Sequence, residues 1–125
     1  MTTLTRALAP LALMALIFVL SAQPGLDSGL GLVDDIGRKV AHAISYAALT
    51  LLWAWALRPV IPNPLLPAAL IALGYAISDE YHQSFVADRN GRPLDVAIDA
   101  IGIIGVLLLY RYDPRVRSVL EGEEP

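Results

Sequence analysis

Residues 7–20 carry no charge at all, and only Arg6 precedes them. A stretch of this kind limits folding more than any other feature of the chain. Extended by a turn at its start, it reaches the roughly 20 apolar residues that a helix needs to cross a bilayer. We read a helix over about residues 4–22. A cleaved signal peptide is the alternative, but Gln23 suits the cut after Ser21-Ala22-Gln23 poorly, and further apolar runs follow. Pro24, Gly25, Asp27 and Gly29 then give a polar loop.

A second span is expected over about residues 36–57, closed by Arg58-Pro59, with Trp53 and Trp55 placed for an interfacial aromatic belt. Pro59, Pro62, Pro64 and Pro67 stiffen the next connection. The third span is more informative. Its clean apolar run, residues 65–77, falls short of about 20 residues. Extending it to Val86, through Tyr81 and Phe85, forces Ser78, Asp79, Glu80, His82 and Gln83 into its last turns. After a loop over residues 87–92, Pro93 suits the first position of a fourth helix, where its missing N–H costs nothing. That helix runs to about Tyr110 and carries Asp95 and Asp99 in its first two turns.

The expected fold is therefore all-α: a polytopic bundle of four transmembrane helices in one domain, residues 1–112, with a loose polar tail over residues 113–125. Composition agrees: 56% of the residues are hydrophobic and 17% charged, against about 45–50% and about 25% in soluble domains. No basic stripe exists for nucleic acid. The net charge of −3 partly reflects Glu121, Glu123 and Glu124. With no cysteine, thiol chemistry and disulfides are excluded. If the N-terminus is cytoplasmic, Arg6, Arg58, Arg111, Arg115 and Arg117 lie inside, and Arg38, Lys39, Arg89 and Arg92 outside. Five cations against four favours cytoplasmic termini by a small margin.

Helix 2 begins, helix 3 ends and helix 4 begins at one membrane face. At about 1.5 Å per residue, His42, Asp79, Glu80 and Asp99 should share a layer roughly 10 Å below it. Lys39, His42 and Tyr46 follow i, i+3, i+7 spacing on one helix face. Asp79, His82, Gln83 and Val86 form a second stripe, with Glu80 about 100° away. Asp95, Asp99 and Gly102 form a third, and Gly102 and Gly105 permit close helix approach. A charged residue facing lipid at a helix centre costs about 2.5–3.5 kcal/mol. These stripes must therefore face one another or a water-filled pocket.

The same residues resemble the VanZ-like family of bacterial membrane proteins. The resemblance rests on a helix ending Ser21-Ala22-Gln23, on Lys39, His42 and Tyr46, and on the block Ser78-Asp79-Glu80-Tyr81-His82-Gln83-Ser84-Phe85-Val86. Arg89, Asp95, Asp99, Gly102 and Gly105 complete it, so it covers about residues 18–108. Arg38 replaces the acidic residue that usually precedes the motif lysine, and Ala87-Asp88 replaces the usual Pro-Gly. The resemblance implies a role at the bacterial cell envelope, because the family's namesake is linked to teicoplanin resistance. It implies no settled reaction.

Glu80, His42 and Asp79 are the candidates for acid–base chemistry, since burial raises a carboxyl pKa toward neutrality and imidazole already titrates near it. Lys39, Tyr46, Gln83, Arg89, Asp95 and Asp99 are the candidates for substrate binding. Arg89 and Arg92 sit at headgroup level, where a guanidinium grips phosphate bidentately. The expected partners are the bilayer and a phosphate-bearing lipid-linked precursor. Imidazole and carboxylate suit zinc or manganese, but two histidines at unrelated spacing assign no metal, and no cofactor is indicated. Two other readings stay open: an ion-coupled carrier using the layer as a proton relay, and an assembly subunit in which Arg89, Arg92 and Lys39 pair with the acids as glue.

Overall fold

The computed structural model describes residues 2–23, 28–87, 89 and 91–122. The loop residues Pro24, Gly25 and Asp27, the departure at Asp88 and the tail acids Glu123 and Glu124 lie outside the described residues. Thr2 opens the first helix, α1 (Thr3–Ser21), its hydroxyl accepting the Thr5 amide at 3.3 Å. The second helix, α2 (Leu32–Leu57), starts a turn before the expected residue 36. Asp34 accounts for this: its carboxylate accepts the Ser28 and Leu30 amides at 3.0 and 3.2 Å and the Ser28 hydroxyl at 2.6 Å. Asp34 and Asp35 also place negative charge in the first turn, where the helix dipole favours it.

The third helix, α3 (Leu65–Gln83), stops three residues short of the expected Val86. The Phe85 and Val86 amides bond to the carbonyls three residues back, at 3.1 Å each, and so tighten the chain into a closing turn. Then α4 (Pro93–Tyr112) begins at Pro93. The tail differs from the loose segment expected: Pro114–Glu121 forms a fifth helix, α5. Asp113 caps it by accepting the Arg115 amide at 2.9 Å, and Gly122 ends it with φ +76°. Leu120 is buried, and Arg58 donates to the Val119 carbonyl at 3.0 Å, which ties α5 to the end of α2.

All five described helices belong to one all-helical unit, with no strand among the described residues. Of the four spans expected, three, α1, α2 and α4, are long and apolar enough to cross a membrane. α3 has the same 19 residues as α1. It falls short in apolarity because Asp79, Glu80, His82 and Gln83 occupy its last turns. The central element is α2, which packs on α1, α3 and most extensively on α4. Tyr46, Leu49, Ala69, Ala72, Ala76 and Ile103 form the core nearer the polar end. The alanine stripe of α3 lets its neighbours approach closely. Outward-facing Leu8, Leu16, Leu70, Ile101 and Leu108 stay exposed along the helices. Apolar exposure on this scale is foreign to soluble monomers and fits a surrounding of lipid.

Where α2 crosses α4, Gly102 lies against the backbone of Ala43, and a Cβ there would collide with the Ala43 carbonyl. Gly105, expected to act likewise, has open space around it and makes no such contact.

Candidate functional site

The Gly102–Ala43 crossing packs α2 against α4 next to His42, which directly precedes Ala43, and one turn from Asp99. His42 Nδ1 lies 3.1 Å from Asp99 Oδ1. Asp99 is fully buried, and His42 is largely so. From α3, Glu80 reaches the same place. Its Oε2 accepts the backbone amide of Arg92 at 3.2 Å, so the loop before α4 is anchored to the end of α3. Gly91 makes that anchoring possible, because a Cβ there would strike the Glu80 carbonyl.

These groups line a cavity of about 220 Å³ at the polar end of the bundle. Of the residues expected to form the site, Lys39, His42, Glu80, Gln83, Arg89, Asp95 and Asp99 line it. So do Arg92, expected beside Arg89 at headgroup level, and Asp35 and Arg38, which the sequence-based site did not include. One signal pointed to Asp35: it stands one turn before Lys39, and the two form an ion pair at 2.7 Å on the rim.

Asp79 and Tyr46 stand elsewhere. Asp79 is buried among α1, α2 and α3, and its Oδ2 accepts from Ser21 Oγ at 2.9 Å, Gln83 Nε2 at 3.2 Å and Tyr46 Oη at 3.4 Å. Gln83 also reaches Ser21 at 3.3 Å. Ser21 and Gln83, both among the residues of the resemblance, thus join one interhelical knot that borders the cavity at Gln83. His82, expected on the polar stripe of the third helix, stacks on Phe18 of α1 with ring centroids 4.3 Å apart and lines neither cavity. Ser78 is exposed.

The loop arginine Arg89 donates through Nε to the Gln23 carbonyl at 3.0 Å. Partial burial pulls its pKa down, and the nearby Arg38 pulls the same way. It nonetheless stays charged, as guanidinium does in proteins. Among the described residues neither Arg89 nor Arg92 forms an ion pair; the pairs present are Lys39–Asp35 and His42–Asp99.

Beside the polar cavity runs a second one of about 390 Å³ between α1 and α2, walled by Ile17, Leu20 and Val33. The two share Arg38, His42 and Arg89 as common walls.

The VanZ/LLP1 family model matches residues 6–113, most of the chain and all of the cavity's residues. The chain belongs to the VanZ/LLP1 family. Searches of curated proteins and of solved structures return no match. This VanZ/LLP1 chain is thus an all-helical protein with membrane-type helices, whose polar residues converge at one end of the bundle.

Proposed function

We propose that the protein binds the phosphate-bearing head of a lipid-linked cell-envelope component at the outer face of the bacterial cytoplasmic membrane. In doing so it alters sensitivity to teicoplanin-type glycopeptides. One observation carries this reading. A polar cavity with three guanidinium groups and a lysine on its walls adjoins an apolar groove, and Arg38 and Arg89 belong to both. A phosphate or pyrophosphate fits the first and a lipid chain the second. Both termini then lie in the cytoplasm. α3 crosses beside the three apolar helices, with its last polar turns in the hydrated face of the pocket. Holding the bundle together is a weaker account of the cavity's arginines, since among the described residues no guanidinium pairs with a buried carboxylate.

The test combines binding with phenotype. In phosphatidylcholine nanodiscs carrying a polyprenyl pyrophosphate, wild type should bind that lipid. Arg89→Gln with Arg92→Gln should lose at least about tenfold, because a hydrogen bond to a charged group contributes about 1.5–3 kcal/mol. At matched levels of folded membrane protein, wild type should raise teicoplanin tolerance, whereas the double variant and Glu80→Gln should not. Equal lipid binding by wild type and the double variant would refute the reading.

The buried His42–Asp99 pair favours one competitor, a proton-coupled carrier. The two separate by access. With no native cysteine, Ile98→Cys on the cavity wall should react with an impermeant maleimide from the outer face alone. Labelling from both faces would favour a carrier.

A further inference from the structure

We propose that His42, Glu80 and Asp99 form a divalent-cation site on the wall of the polar cavity. An imidazole nitrogen of His42 and one carboxylate oxygen each from Glu80 and Asp99 lie within 4.8 Å of one another. Ligands about 2.0–2.2 Å from a common ion stand at most about 4.4 Å apart. A small closure therefore completes the set.

Three helices supply one ligand each, so the set is a product of the fold rather than of a local acidic run. Two buried atoms point the same way. Glu80 Oε1 and Asp99 Oδ2 have no hydrogen-bond partner, although their residues are 6% and 0% exposed. Buried carboxylate oxygens are costly when unpartnered. Here His42 is the only cationisable side chain in contact with either carboxylate among the described residues. A dication would satisfy both oxygens together.

Outer groups already hold the ligands. The Arg92 amide fixes Glu80 through Oε2, which leaves Oε1 for the ion. Such support is typical of metal sites. One nitrogen and two oxygen donors suit Mn²⁺ or Zn²⁺. With three protein ligands, the remaining positions would open into the cavity, as in metal sites that act on a ligand rather than merely brace a fold. The inference uses none of the lipid reading, and its probe is the metal alone.

Detergent-purified protein, stripped with EDTA and titrated with Mn²⁺ under electron paramagnetic resonance, should take up one equivalent that Zn²⁺ displaces. Glu80→Gln and Asp99→Asn should each weaken uptake at least about tenfold. Asp113→Asn, at the opposite end of the bundle, should not change it. Should either variant fail to fold, pulsed measurements on wild type still decide. Bound Mn²⁺ should show modulation from an imidazole nitrogen, and His42→Gln should abolish that modulation. Folded wild type that binds no Mn²⁺, or binds it without a nitrogen ligand, overturns the proposal. So does unchanged uptake by Glu80→Gln.

Discussion

Gly102→Ala should destabilise the protein by about 1–3 kcal/mol, while Gly105→Ala, on the same helix, should be neutral or stabilising by up to about 1 kcal/mol. The added methyl is identical, so intrinsic helix propensity favours both changes equally. Only the surroundings differ. At Gly102 the new Cβ meets the Ala43 carbonyl, an atom of the α2 backbone that no rotamer change can move. At Gly105 it meets open space. Relieving the clash means pushing α2 away from α4, and His42 and Asp99 sit beside that contact. Their 3.1 Å approach should lengthen with it. The loss should therefore reach function as well as stability. Thermal unfolding in detergent, followed by helical circular dichroism, measures the first effect, and Mn²⁺ uptake the second. Equal unfolding temperatures for the two variants would mean that the crossing is looser than described.

The two glycines also mark how far the sequence could be read. Small residues at helical spacing announce a close approach, but spacing alone does not say which of them touches a neighbour. That depends on the azimuth at which α4 meets α2. Depth was easier to read than direction. The 1.5 Å rise placed His42, Glu80 and Asp99 at one level, and in the structure they share a cavity wall. The same rise placed Asp79 there, yet α3 turns it, with His82 of the same stripe, toward α1. Three polar stripes can be arranged around a pocket in more than one rotation, and the choice rests on the packing of the alanine face of α3. The helix ends were hidden for a different reason. Hydropathy sees Asp34 as the end of an apolar run, whereas its carboxylate holds the Ser28 and Leu30 amides of the segment that leads into α2. It likewise sees the tail as polar, although Val116 and Leu120 give α5 one apolar side that packs on the bundle.

Asp79 decides between the two meanings of a buried acid in this family block. If it acts as an interhelical knot, Asp79→Leu should loosen α1. The substitution removes the acceptor of Ser21, Gln83 and Tyr46, all buried. Each donor left unsatisfied costs about 1–3 kcal/mol, so a total of about 3 kcal/mol or more is expected even if Gln83 swings toward the cavity. Among the described residues, the other ties between α1 and α3 are the Gln83–Ser21 bond at 3.3 Å, the Tyr75 hydroxyl on the Met14 carbonyl at 2.6 Å and the Phe18–His82 stack. Opening should therefore concentrate at the α1 interface. Ile17, 6% exposed in the core, reports on it when replaced by Ile17→Cys in this cysteine-free chain. Its maleimide labelling should quicken at least about tenfold in Asp79→Leu, since about 1.4 kcal/mol corresponds to a factor of ten in an equilibrium. Asp79→Asn keeps a carbonyl acceptor for Ser21 or Gln83 and should fall between. If labelling and unfolding temperature stay at wild-type values while teicoplanin tolerance disappears, Asp79 belongs with Glu80 and His42 in the chemistry. If labelling rises and Mn²⁺ uptake by the protein that remains folded is retained, the knot and the cavity are separate devices sharing one helix end.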